Sequence, residues 1–161
     1  MLKNMSKEFS GGLETLKAWK VARAFRSTIN NLVNSFSEEE RYLLRFQLLK
    51  SSRAIGNDIA KGYGCNRSED MIRYCRTARG HLVETLDHLY TALDEKYIST
   101  QTFNLVEKEY EHLLKLLNGY IGYLKKQEDL MADDLDVVME DASAYGNILL
   151  GKTEDSEYKN N

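Results

Sequence analysis

The sequence contains no proline among its 161 residues. Proline is typical of loops and edge strands, so its complete absence argues against a β-sandwich or barrel with many turns. Long α-helices need no proline, and a hydrophobic fraction of 42% is enough for one core. We therefore predict an all-α protein.

Cysteine and long apolar runs are also scarce. The two cysteines, Cys65 and Cys75, cannot build a disulfide framework. No stretch approaches the roughly 20 apolar residues that a membrane span needs. The opening residues, with Lys3, Lys7 and Glu8, lack the apolar run of a signal peptide. We expect a cytoplasmic protein with reduced thiols and no membrane association.

Charge divides the chain into two parts. Residues 1–127 contain 20 Lys and Arg against 15 Asp and Glu, a net charge of +5. Residues 128–161 contain 2 against 10, a net charge of −8. The sequence therefore predicts a flexible N-terminus over residues 1–12, a basic body over 13–127 and an acidic tail over 128–161.

Apolar residues recur every three or four positions in four segments, which predicts four helices. The apolar stripe of the first segment consists of Ala18, Ala22, Phe25, Ile29, Val33 and Phe36, and that of the fourth consists of Val106, Tyr110, Leu113, Leu117, Tyr120 and Leu124. Ser37 and Glu40 form a capping box before the second helix, and Gly62 and Gly64 are predicted to end it in a left-handed C-cap. Short connections make neighbours antiparallel, so we predict an up-down-up-down four-helix bundle. The predicted helices cover about residues 12–35, 37–61, 68–95 and 99–127.

The second predicted helix carries two apolar stripes on different sides. One stripe is enough for a bundle core, so the other must be covered by something else. Either this helix is the most buried of the four, or the second stripe mediates self-association, and periodicity leaves both open. The first stripe consists of Leu44, Leu48, Ser51, Ile55 and Ile59, and the second of Tyr42, Phe46, Leu49 and Ala60.

Two helical segments carry histidine and glutamate at the spacing of a di-iron site. They are Glu109 with His112, and His81 with Glu84 and His88. On a helical wheel these side chains lie away from the apolar stripes, whereas metal ligands in a bundle project inward. We expect no metal, no cofactor and no catalytic set, and therefore no enzyme.

Basic residues step by three along the first and third predicted helices and also occur in the second. Such ridges can contact successive phosphates of a nucleic acid. The alternative is an ordinary solvated surface with local ion pairs, such as Arg73 with Glu69. The candidates for nucleic-acid binding are Lys17, Lys20, Arg23, Arg26, Arg41, Arg45, Arg53, Arg73, Arg76 and Arg79.

Several motifs match a known family in order and spacing. They are Leu16–Ala22, Glu40–Leu48, Ala54–Gly64 and Thr77–Glu84. The chain resembles the four-helix-bundle proteins encoded in intervening sequences of bacterial large-subunit ribosomal RNA genes. It departs from the usual family pattern at Asp58, Lys61 and His81, where Asn, Glu and Ser are common.

The resemblance implies a left-handed bundle that assembles as a homopentameric ring and binds nucleic acid, either structured RNA or an RNA–DNA hybrid, through a basic surface. Related proteins include the accessory variability determinant of diversity-generating retroelements, which implies docking on a reverse transcriptase as the alternative function. The resemblance favours self-association through the second stripe. The expected interface residues are Tyr42, Phe46, Leu49, Gly80 and Glu84.

The acidic tail lies outside this resemblance. Its apolar positions suit a short amphipathic helix, although acid-rich tails are commonly disordered. Two roles are open for a tail of charge −8 tethered to a body of charge +5: it lies across the basic ridges and competes with nucleic acid, or it docks its apolar side, with Leu135, Val138 and Leu149, on a neighbouring subunit. We predict that deletion of residues 128–161 tightens RNA binding, most visibly at low salt.

Overall fold

The computed structural model describes residues 11–36, 43–65 and 67–150, with side chains described as far as residue 130. Those ranges contain a short 3₁₀ helix, four α-helices and no strand. The 3₁₀ helix covers Leu13–Thr15, and the α-helices are α1 Lys17–Val33, α2 Leu44–Cys65, α3 Ser68–Asp94 and α4 Thr100–Leu150. The prediction of an all-α protein with four helices is confirmed, and the capping box lies outside the described residues.

The core follows the apolar spacing of the sequence. Every position of the predicted α1 stripe and of the first α2 stripe is buried, because residues three and four apart share one side of a helix. In α4, Tyr110 and Tyr120 are only half-buried, and Phe103 and Ile121 complete the buried side. The largest fully buried side chains include Phe25, Ile29, Leu48, Ile55, Met71, Leu82, Leu89, Leu113, Leu117 and Leu124.

Side-chain contacts show that α2 runs antiparallel to both α1 and α3. Tyr63 near the end of α2 donates a hydrogen bond to the carbonyl of Gly11, before α1. Arg45 at the start of α2 lies 3.1 Å from the Asn34 side chain, just after α1. Towards α3, Asp58 approaches His81, and Gly62 lies against Met71.

The first part of α4 packs between α1 and α3. Thr28 of α1 donates a 2.9 Å hydrogen bond to Glu109, and Arg79 of α3 donates one of 2.8 Å to Asn118. The Tyr90 and Phe103 rings are 4.8 Å apart. Helix α2 also packs between α1 and α3, on the side opposite α4. The four helices therefore form the predicted antiparallel bundle.

The chain forms two compact units, Met1–Leu124 and Lys125–Asn161. The helical backbone of α4 continues to Leu150. Residues 151–161 lie outside the described part, as do the side chains from residue 131 onwards. The predicted role of the acidic tail therefore stays a prediction.

The predicted end of the second helix at Gly62 is wrong. Helix α2 continues through Gly62 and Gly64 to Cys65, and no described glycine has a positive φ. A Cβ at Gly62 would lie 2.7 Å from Met71 Sδ, 3.0 Å from Tyr74 Cβ and 3.2 Å from Met71 Cα. Gly62 is therefore a point of close approach between α2 and α3, rather than a C-cap.

Candidate nucleic-acid interface

Helices α1 and α2 carry almost only positive charge. Helix α1 has four Lys and Arg residues and no carboxylate, and α2 has four against a single carboxylate, Asp58. Asp58 is 4% exposed and is held 2.9 Å from Lys61 Nζ. The exposed surface of α1 and α2 therefore presents cations without a competing carboxylate of its own.

We call five of these cations the α1–α2 basic face: Lys20, Arg23 and Arg26 of α1, with Arg45 and Arg53 of α2. Lys20, Arg23 and Arg53 are exposed, and Arg26 and Arg45 are half-buried. The contacts between Gly11 and Tyr63 and between Asn34 and Arg45 set the register, which places Arg23 level with Arg53. No described carboxylate forms an ion pair with Lys20, Arg23 or Arg53.

An aromatic side chain supports the middle of this face. The Arg23 guanidinium lies 5.7 Å from the centre of the Trp19 ring, a cation–π distance that orients the guanidinium without neutralising its charge. Trp19 itself is half-buried and packs against the core. The face therefore combines an arginine held beside an aromatic ring with the exposed Lys20 and Arg53.

The four basic residues of α1 do not form one straight ridge. Each step of three residues falls short of a full helical turn, so the row winds around the helix. Lys17 and Arg26 consequently lie on opposite sides: Lys17 lines a groove against α4, whereas Arg26 is half-buried.

The basic row of α3 is largely engaged within the chain. Arg73 forms a 2.9 Å ion pair with Asp70, and its guanidinium lies 4.8 Å from the Tyr74 ring centre. Arg79 is hydrogen-bonded to α4, and Arg76 is exposed. The suggested partner of Arg73, Glu69, instead pairs with Arg67 at 3.0 Å.

Comparison with known proteins places the fold and these residues in one family. Residues 14–119 match the sequence profile of the 23S rRNA-intervening sequence protein family. The chain belongs to this family. The match covers α1, α2, α3 and the first part of α4, and therefore includes the whole α1–α2 basic face.

A crystal structure with a similar fold is that of a protein of unknown function from the S23 ribosomal protein family of Bacteroides thetaiotaomicron VPI-5482. It is 22% identical in sequence, with a TM-score of 0.61, and the alignment covers 65% of this chain and 95% of that chain. No curated protein matches this member of the intervening sequence family.

The three departures from the usual family pattern come together between α2 and α3. Lys61 Nζ donates a 2.9 Å hydrogen bond to Asp58 Oδ1, and His81 Nε2 lies 3.3 Å from Asp58 Oδ2. His81 Nδ1 lies 2.9 Å from Glu84, whose other oxygen is 3.8 Å from His88. Sequence reasoning placed these residues on separate helices and did not predict the cluster.

Electrostatics in this cluster shift two groups in the directions that ion pairing requires. The hydrogen bond and charge of Asp58 raise the pKa of Lys61. The hydrogen bond from His81 lowers the pKa of Glu84, and the nearby His88 and Lys50 act in the same direction. Glu84 is therefore held by its own chain, although the resemblance implies a role in contacts between subunits.

The expected interface residues lie in different environments. Phe46 is 61% exposed, whereas Leu49 is half-buried and packs against the core. Gly80 is exposed, and a Cβ added there would meet no atom within 4 Å. Tyr42 and the basic candidate Arg41 lie outside the described residues.

His112 and Cys75 are the residues whose surroundings bear on metal and thiol chemistry. His112 is exposed, as its position off the apolar stripe predicts. In the described ranges, no group of three or more His, Cys, Asp or Glu residues is arranged to hold a metal. Cys75 is buried, and this burial raises its pKa to about 12. No helix among the described residues is long and apolar enough to cross a membrane.

Proposed function

We propose that this member of the intervening sequence family is a non-catalytic, self-associating protein that binds structured RNA through the α1–α2 basic face. The observation that supports the proposal is the charge of these two helices. The two helices contain eight Lys and Arg residues and a single carboxylate, and that carboxylate is buried against α3. A surface of this kind attracts a polyanion over its whole length.

The arrangement suits a phosphate backbone more than a single small anion. Arg23 and Arg53 come from different helices at the same level, and Lys20 lies about one turn along α1 from Arg23. Guanidinium groups bind phosphate oxygens in a bidentate geometry, so cations spread over two helices can contact several phosphates. Double-stranded RNA is recognised mostly through its shape, phosphates and 2′-hydroxyls, which needs no deep pocket.

Exposed apolar residues at the start of α2 support self-association. Leu43 and Phe46 are 67% and 61% exposed, and large apolar side chains are costly to leave in water when they adjoin one another. The resemblance implies a homopentamer. We expect light scattering with size-exclusion chromatography to show an oligomer that Phe46→Glu converts to smaller, equally helical particles. A strictly monomeric wild type at tens of micromolar would contradict this part of the proposal.

RNA binding is tested with the double variant Arg23→Ala/Arg53→Ala. The loss of two phosphate contacts is expected to raise the Kd for an RNA hairpin about tenfold at moderate salt, and to lower the slope of log K against log salt by about 1.5. Fluorescence anisotropy over a salt series measures both quantities. Circular dichroism checks that the variant keeps its helices.

The matched control removes two exposed cations outside the face, with Lys96→Gly/Lys108→Ala. Its Kd is expected to stay within about twofold of the wild type, because its net charge changes equally but no proposed contact is lost. Equal affinities of the wild type and the Arg23/Arg53 variant would overturn the proposal. Equal losses of affinity in the two double variants would show that RNA binding depends on net charge and not on the α1–α2 basic face.

A further inference from the structure

A groove of about 670 Å³ lies between the start of α1 and the first part of α4. Its apolar lining comes from Leu16, Ala18, Leu116, Gly119 and Tyr120, and its basic groups are Lys17, Lys115 and His112.

The groove has the chemistry of a docking surface for an anionic amphipathic helix. No carboxylate is among its lining residues, and Lys17, Lys115 and His112 are exposed. Its α4 side extends from His112 to Tyr120, roughly 12 Å at the rise of an α-helix. Amphipathic helices bind such grooves with their apolar side, while charges at the edges determine which helix is accepted.

The chain itself contains a segment with the complementary pattern. Residues 128–150 include seven Asp and Glu and no Lys or Arg, and the α4 backbone is helical over this range. Apolar residues recur in steps of four, three, four, three and four, the spacing of a helix that packs along one stripe. These residues are Met131, Leu135, Val138, Ala142, Tyr145 and Leu149.

We infer that the α1–α4 groove binds the acidic segment 128–150 of a second copy of this chain. Seven like charges disfavour pairing of two such segments with each other, whereas the groove offers three basic groups around an apolar floor. This contact differs from the exposed start of α2, and it does not depend on RNA binding because none of its residues belongs to the α1–α2 basic face.

The test uses disulfide formation between two different full-length variants. Both carry Cys65→Ser, because Cys65 is exposed. One adds Gly119→Cys in the groove, and the other adds Val138→Cys in the acidic segment. Cys75 stays in place, since it is buried and its raised pKa of about 12 keeps the thiol protonated.

Gly122→Cys supplies the matched control for the groove position. Gly119 and Gly122 are both exposed on α4, and a Cβ at either meets no atom within 4 Å. Only Gly119 lines the groove. Mild oxidation of an equimolar mixture is followed by intact mass spectrometry, which identifies the heterodimer.

The expected result is at least about fivefold more heterodimer between positions 119 and 138 than between 122 and 138, because binding raises the local thiol concentration. Lys17→Glu/Lys115→Glu in the groove variant is expected to lower the yield to the control level, with unchanged circular dichroism. The Arg23→Ala/Arg53→Ala background is expected to leave the yield unchanged, so failure of RNA binding and failure of this inference are distinguishable.

Two results would overturn the inference. The first is an equal yield at positions 119 and 122, which would indicate random collision. The second is a chain carrying both Gly119→Cys and Val138→Cys that forms its disulfide only within itself, at a rate independent of protein concentration. That outcome would assign the groove to the same chain's segment.

Discussion

Helix α2 has two flanks that differ in almost every physical respect. The flank towards α3 is closely packed, with Gly62 against Met71 and Ser51 bonded to Thr85. Asp58 lies between Lys61, which bonds its Oδ1, and His81, 3.3 Å from its Oδ2, and this buried Oδ2 has no hydrogen bond. The flank towards α1 and solvent carries Arg53 and the exposed Phe46. Side chains of the first flank contact α3 of the same chain, whereas the second flank leaves a cation and a large apolar ring exposed.

This difference separates what holds the bundle together from what is available to a partner. Substitutions at buried hydrogen bonds and close helix contacts lower the free energy of unfolding, because they leave buried polar groups without partners or force packed helices apart. Exposed cations contribute little to stability, since their charges are well solvated. We therefore expect substitutions on the α3 flank to change stability, and those on the α1 flank to change binding.

Among substitutions that test the difference between the two flanks, Gly62→Ala is expected to change the free energy of unfolding most. The new methyl group would contact Tyr74 Cβ and the Met71 backbone at 3.0 and 3.2 Å, so α2 and α3 must separate. We expect the free energy of unfolding to fall by about 2 kcal/mol. Urea denaturation followed by circular dichroism measures the change.

Gly64→Ala is its control, because Gly64 is exposed in the same helix with open space at the Cβ position. Alanine favours a helix over glycine, so this variant is expected to be as stable as the wild type or more stable by up to about 0.5 kcal/mol. Equal destabilisation by the two substitutions would mean that the close approach at Gly62 is unimportant.

A smaller effect is expected from Thr85→Val. The buried Thr85 Oγ1 lies 2.8 Å from Ser51 Oγ and 2.8 Å from the His81 carbonyl. Its loss leaves buried polar groups with fewer partners, and we expect a cost of about 1 kcal/mol in thermal or urea unfolding. Thr91→Val removes a comparable bond to the Asp87 carbonyl, but at an exposed position. A loss for Thr91→Val as large as for Thr85→Val would contradict the distinction between inner and outer positions.

The smallest effect on stability is expected from Arg23→Ala/Arg53→Ala. Neither arginine has an ion pair with a described carboxylate, so the free energy of unfolding should change by less than about 0.5 kcal/mol. Measurements at low and high salt should show any small gain only at low salt, where repulsion between cations is least screened. A loss above about 1 kcal/mol would show that these arginines stabilise the bundle, and it would contradict the expectation that the α1 flank affects binding and not stability.

Much of the fold could be predicted because helix periodicity is a local property. Ala18, Phe25 and Leu48 are buried where their spacing predicts. The same rule misjudged Gly62, because glycine serves both as a C-cap and as a site of close helix approach. Only the positions of Met71 and Tyr74 on the neighbouring helix distinguish these two uses.

By itself, the sequence determined the number of helices, their apolar sides and the separation of basic and acidic regions, because each depends on residues near one another in the chain. Tertiary structure decided which charges remain available. It paired Arg73 with Asp70, placed Asp58 against His81 from another helix, and brought Arg23 level with Arg53. Ion pairing and burial depend on distances between helices, and spacing along a single helix does not contain those distances.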